Sequence, residues 1–271
     1  DRALDGIEAV AHLAALMSWH PKDNTRLFEV NVTGTFNLLQ ATRNHNLKRF
    51  VYASSGEVYP ELNPKYLPID EHHPTLPTST YGMTKLLGEQ LVSNIAQQTA
   101  MSYCVLRFSH TQSADELFDP NSFFSGPRFY LNAKIRQLEG GPQGPVVVKT
   151  LDALRVVSTE KEQHYIGYNP DGKAYRMGMC DTRDMCQGVE LGLTHEKADC
   201  ETFNIGAVHS FDFDEAVPYL ARMTGLPIQK VTLYTTSYRY DTSIQKAVDV
   251  LGYSPQYDIF RMIDDVVAKR H

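Results

Sequence analysis

No stretch of this 271-residue chain approaches the roughly 18 consecutive apolar residues that span a bilayer, so no membrane span is expected. There is no basic run either. The formal net charge is −6, and nucleic acid is not an expected partner. The four cysteines (Cys104, Cys180, Cys186 and Cys200) contain no CxxC pair and read as reduced thiols. No secretory leader is recognised, and the expected compartment is the cytoplasm. The ten histidines show no HExxH or comparable spacing, so no metal is expected. A GxxGxxG string is missing, and GGPQGP (Gly140 to Pro145) has the wrong spacing for a phosphate loop. What remains is an ordinary globular composition, 42% hydrophobic and 21% charged, sufficient for a buried core.

The chain opens near a short, charge-free apolar run, Ala9 to Ala15 (AVAHLAA), which reads as a buried parallel strand. A helical stretch follows from about Thr25 to Asn44, with Leu27, Val30, Val32, Phe36 and Leu39 on its apolar faces. Arg49 to Ser54 (RFVYAS) is a second strand, Tyr81 to about Gln98 a helix, and Ser102 to Phe108 a third strand. This alternation is the pattern of a doubly wound parallel sheet with right-handed crossovers. Residues 111–175 are richer in proline and glycine, with isolated short strands such as Pro145 to Val148, and read as a smaller lobe. A helix from about Thr182 to His195, the strand Thr202 to Gly206 and a helical segment from Asp241 to Gly252 complete the chain.

The chemistry concentrates in YGMTK. Tyr81 and Lys85 are four residues apart at a helix start, which places both on one face, one turn apart. An ammonium beside a phenol favours the phenolate and brings it below its free pKa of about 10. YxxxK also arises by chance on exposed helices. The preceding strand sets this one apart, because it ends in Ser54-Ser55, and ligands of open α/β sheets bind at the carboxyl ends of strands.

AHLAA, NVTGT, VYASSGEVY, YGMTK, VLRF, DTRD, TFNIG and LGYSP occur in an order that resembles the extended short-chain dehydrogenases, the NAD-dependent epimerase/dehydratase family. The resemblance covers nearly the whole chain. It implies a Rossmann-type sheet, Ser55 and Tyr81 as catalytic hydroxyls with Tyr81 the base, and Lys85 holding the nicotinamide ribose. Leu13, Ala14 and Ala15 resemble the turn that wraps the dinucleotide, and Asn31 the helix asparagine that organises the site. Ser54 and Phe108 are further cofactor-side candidates. Glu57 stands where members that dehydrate or decarboxylate carry a working glutamate, although a solvated strand-end glutamate would look the same.

Two departures bear on the substrate. His110 replaces the asparagine that usually follows the LR strand, and the Gly-Pro after it is gone. The arginine that usually grips the diphosphate falls at Met177, with Arg176 one step away and, in a strand, on the opposite face. Arg128 and Arg239 are alternative anion contacts, although solvated loop arginines would look the same. His110, Arg128, Arg176, Arg239 and Glu57 are therefore the substrate candidates.

These readings combine into one set of expectations. Residues 1–110, with 176–206 returning to them, should form the dinucleotide-binding domain, and 111–175 with 207–271 the substrate lobe. The glycine fingerprint of the family would precede Asp1, leaving AVAHLAA an apolar sheet edge. The cofactor is NAD or NADP, with NAD favoured. The substrate is a nucleotide sugar or related sugar, oxidised transiently. The alternatives are an alcohol/ketone reductase of the same family, or a non-catalytic nucleotide-sensing protein. A homodimer is expected through the helices near 25–44 and 81–98, with Leu86, Leu91 and Ile95 as interface candidates.

Overall fold

The computed structural model of the chain describes residues 2–235 and 238–270. It divides into two compact units: Asp1–His110 with Arg183–Gly206 and Thr242–Pro255, and Thr111–Thr182 with Ala207–Asp241 and Gln256–His271. The sheet-bearing unit thus resumes at Arg183 rather than at residue 176, and it takes back a segment after residue 241 that sequence reading assigned to the other lobe.

In the first unit four parallel strands lie in the order β1 (Ala9–His12), β2 (Arg49–Ser55), β3 (Ser102–Phe108) and β4 (Glu201–Ile205). Alternate residues of β2 enter opposite cores. Phe50 and Tyr52 pack with Leu39, Val92, Ile95 and Val105. Val51 and Ala53 pack with Leu106, Phe203, Ile205 and Leu251. Covered on both faces, the strand has to be apolar throughout its middle, as RFVYASS is. β1 is an edge strand paired to β2, and it stops at His12. Leu13, Ala14 and Ala15, expected within the strand, are exposed and lie beyond it.

The expected helix over 25–44 is interrupted. An α turn at Asn24–Leu27 passes into a π-helical stretch, Phe28–Thr33, before α1 (Gly34–Thr42). The wider turn shifts the helical phase; Leu27 and Leu39 are buried, while Phe36, also expected on an apolar face, is exposed. α2 (Thr80–Gln98) begins where Ser79 caps it, its Oγ accepting the Gly82 N–H at 2.9 Å. Ile95 lies in the core beneath α2, so it is not an interface residue.

The second unit holds a parallel pair, His164–Tyr168 with Ile228–Thr232, and helices that include Leu131–Glu139, Phe213–Thr224 and Ile259–Arg270. Pro145 to Val148 is not a strand. It opens a helix, Pro145–Val157, with proline in the first turn, where its missing N–H costs nothing. The valine run misleads because the helical period shows only further on, in the burial of Thr150, Leu151 and Leu154. No helix among the described residues is long and apolar enough to cross a membrane.

Candidate active site

β2 and β3 finish level, with Ser55 in register with Phe108. Ser55 then caps the turn Gly56–Val58, its Oγ accepting the Glu57 N–H at 3.2 Å. This turn presses on the first turn of α2. A β-carbon added to Gly82 would lie 2.2 Å from the Glu57 carbonyl oxygen, so only glycine fits there. The Glu57 carboxylate is held by three hydrogen bonds. Ser79 Oγ donates to Oε2 at 2.5 Å, and the Trp19 indole N–H donates to Oε1 at 2.9 Å and Oε2 at 3.0 Å. The Trp19 ring sits 6.1 Å from that of Tyr81.

Tyr81 is 7% exposed, and Ser55 lies near enough to its hydroxyl to influence its ionisation. Burial pushes this phenol well above its ordinary value; the Glu57 charge adds to the rise, and Ser55 opposes it. Lys85 was expected to favour the phenolate. It is not among the influences on Tyr81 here, and burial governs the direction of the shift.

Lys85 lies one turn along α2 and is 3% exposed. Its ammonium stands over the Tyr52 ring at 4.8 Å and has no hydrogen bond or ion pair with any described residue. Burial lowers it to about 8, against a smaller upward pull from Glu89. The His12 ring centroid is 5.8 Å from that of Tyr52. Burial and then the Lys85 charge lower His12 to about 4, so it is neutral at pH 7. Its tautomer follows from the bonding. Thr35 spends its hydroxyl proton on the Asn31 carbonyl (2.6 Å), so His12 Nε2 is the donor in the 2.9 Å contact with Thr35.

Asn31 lies within the π-helical stretch, a feature often found at functional sites. Its Oδ1 accepts the Leu16 N–H at 2.8 Å. Its Nδ2 donates to the Leu16 carbonyl at 2.9 Å and to Thr84 Oγ1 at 3.0 Å. The amide is thereby committed to tying the loop after β1 to α2. Ser54 is committed as well: it is buried and donates to Glu89 Oε1 at 2.5 Å, turned away from Ser55. Phe108 belongs to the core beside β3 and β4, and His110 is half-buried just past the end of β3.

The remaining substrate candidates lie in the other unit. Arg176 donates to Asp212 at 2.6 Å and to Asp241 at 3.1 Å; Arg239 donates to Asp212 at 3.1 Å and to the Ala174 carbonyl. These two arginines, expected as alternatives, therefore share a carboxylate in one cluster of alternating charge. Arg128 donates to the Phe124 carbonyl at 2.9 Å, and its guanidinium lies against the Phe124 ring.

A nicotinamide ribose fits the residues present. Lys85 is a buried cation with no acceptor among the described residues, and the ribose hydroxyls of a dinucleotide are neutral acceptors of the kind it lacks. Comparison with known sequences gives the same answer. The sequence model of the NAD dependent epimerase/dehydratase family matches residues 1–206. The chain belongs to that family. It is therefore an enzyme of the NAD-dependent epimerase/dehydratase type. UDP-glucose 4-epimerase from Halalkalibacterium halodurans is 28% identical over 261 residues, which covers 93% of this chain and 72% of that one. A short-chain dehydrogenase/reductase superfamily protein from Agrobacterium tumefaciens, solved with bound NAD, is 42% identical. Its TM-score is 0.92, covering 99% of this chain and 81% of that one. UDP-glucuronic acid 4-epimerase from Bacillus cereus, at 23% identity and TM-score 0.72, shares the fold over 100% of this chain and 75% of its own.

Sequence reasoning missed Trp19, Ser79, Thr84 and the partners of Glu57. Ser79 carried a legible signal, a serine directly before a helix start. Trp19 carried only its rarity, as the one tryptophan of the chain.

Proposed function

We propose that this family member oxidises a sugar hydroxyl transiently, with Tyr81 as the group that takes and returns the hydroxyl proton. The observation that carries the reading is Ser55 at the end of β2 beside Tyr81 on the first turn of α2, with the buried Lys85 ammonium, which has no hydrogen bond or ion pair with any described residue, one helical turn along. Ser55 orients the reacting oxygen and shares its hydrogen bond with Tyr81. Lys85 holds the nicotinamide ribose. A bound oxidised nicotinamide would supply the hydride acceptor and a positive charge that favours the phenolate. Without that charge the buried phenol keeps its proton, so Tyr81 is in the form that donates back to a keto group. Glu57, fixed by Trp19 and Ser79, faces Tyr81 and is the candidate for additional acid–base work in a dehydration or decarboxylation.

NAD is favoured over NADP because the 42% identical Agrobacterium protein was solved with NAD. A nucleotide sugar is the proposed substrate class, supported by the UDP-glucose 4-epimerase relative. The second unit is proposed as the substrate lobe, with the Arg176–Asp212–Arg239 cluster and Arg128 as its anion-facing groups.

The test is a panel of UDP-sugars and UDP-sugar acids offered to the intact protein with NAD or NADP, with products separated by chromatography. Tyr81→Phe should abolish turnover while leaving cofactor affinity within about threefold, because it removes the proton carrier and little packing. Lys85→Ala should damage both. Turnover by Tyr81→Phe at the wild-type rate would refute the assignment of the base.

A further inference from the structure

A lysine and a glutamate four residues apart on a helix ordinarily pair. Lys85 and Glu89 are so placed on α2, both buried, yet they form no ion pair. The reason lies on β2 and β3. Arg107 grips Glu89 with two parallel bonds, Nε to Oε1 at 2.9 Å and Nη2 to Oε2 at 2.7 Å, and Ser54 Oγ adds a third to Oε1 at 2.5 Å. Arg107 is itself anchored: its Nη1 donates to Tyr59 Oη at 2.8 Å, and Tyr59 donates to Asn204 Oδ1 at 2.8 Å. Three of the roughly four acceptor positions of the carboxylate are therefore filled by groups fixed to the sheet.

We propose that Ser54, Glu89 and Arg107 are positioning residues for the cofactor-holding lysine. By occupying Glu89 from the sheet side, Ser54 and Arg107 keep it from closing on Lys85, so that the ammonium stays unpaired until a ribose reaches it. The inference rests on the reading of Lys85 as the ribose-holding residue. It explains why a buried ion pair with excellent geometry stands next to a buried cation that has no hydrogen bond or ion pair with any described residue. It also gives Ser54 a role separate from that of Ser55: the two adjacent hydroxyls serve the lysine and the tyrosine respectively. The titratable and charged groups around Lys85 are His12 on β1, Tyr52 on β2, Tyr81 and Glu89 on α2 and Arg107 on β3, with Glu57 facing Tyr81.

The test follows the Lys85 ammonium directly, by NMR of protein labelled at lysine Cε, with its signal assigned by its loss in Lys85→Arg. Ser54→Ala frees an acceptor position on Glu89. It should move the Lys85 titration upward from about 8, by about tenfold in the ammonium-to-amine ratio, and should weaken NAD binding about tenfold. Ser54→Thr, which restores a hydroxyl, should reverse both effects. Glu89→Gln keeps an acceptor for Arg107 but removes the charge, and should move the same titration downward. A purely structural role would lower the melting temperature of both variants without shifting the titration in opposite directions. Shifts in the same direction, or none, overturn the proposal, and Glu89→Gln decides alone if Ser54→Ala does not fold. Unchanged NAD affinity in Lys85→Met would instead overturn the reading of Lys85 on which the proposal stands.

Discussion

Gly82→Ala is the substitution for which local propensity and tertiary packing disagree most. Gly82 lies in the first turn of α2, next to Tyr81, and alanine in a helix is favoured over glycine by about 0.5–1 kcal/mol. The added methyl would meet the Glu57 carbonyl oxygen at 2.2 Å, the carbonyl carbon at 2.9 Å and the Glu57 β-carbon at 3.2 Å. The first two are backbone atoms and cannot swing aside. To reach ordinary contact at about 3.4 Å, the turn and the helix must part by about 1 Å. Overpacking of this kind costs about 1–3 kcal/mol, which exceeds the propensity gain. The displacement separates Tyr81 from Ser55, and misplacing a reacting group by about 1 Å costs on the order of a hundredfold in rate. Gly34→Ala is the control. Its β-carbon would meet only the Glu29 carbonyl oxygen, at 3.8 Å, so the same substitution should be neutral or stabilising by up to about 1 kcal/mol. Thermal melts and kcat/KM on both variants decide the matter. Wild-type activity and stability in Gly82→Ala would refute the packing argument.

Arg107→Leu should destabilise by about 3–5 kcal/mol, because it leaves Glu89 buried without its counter-charge; denaturant titration showing less than about 1 kcal/mol would contradict this. His12, held at about 4 in the folded chain against an ordinary 6.5, binds its proton first in the unfolded state. Stability should therefore fall as pH drops through the window from 6.5 to about 4, and His12→Gln should flatten that slope in denaturation midpoints measured across it. A symmetric dimer through the helices at 24–42 and 80–98 should bury more than about 1,000 Å², with exposed Phe28, Phe36 and Met83 as its apolar contacts; sedimentation of monomer alone at micromolar concentration would remove it.

The sheet was legible because burial on both sides leaves little freedom in composition. RFVYAS and SYCVLRF read as parallel strands from their own residues; the first runs one residue further, to Ser55, and the second formed over the expected range. Tyr81 and Lys85 were legible because four residues make one helical turn. The π-helical stretch was not, since nothing in FEVNVT departs from an ordinary amphipathic helix until Phe36 is found outside. Nor was the helix at Pro145–Val157, where three valines outweighed a proline that belongs to a first turn.

The partners of Glu57 and Lys85 were out of reach for a different reason. Glu57 is anchored by Trp19, 38 residues earlier, and by Ser79, 22 residues later, through loops whose path no periodicity encodes. Lys85 depends on a bond that does not form, and its absence is arranged by Arg107 from a neighbouring strand. An arginine near the end of an apolar strand was visible, but what it neutralises was not. A charge placed in a core states only that a partner exists. For Tyr81 the spacing argument placed Lys85 correctly yet misjudged the direction of the phenol, because it counted one charge and left out burial and Glu57. The site therefore separates into two kinds of information. The residue types and their local spacing assign the chemistry, while the long-range contacts set the protonation states in which that chemistry can run.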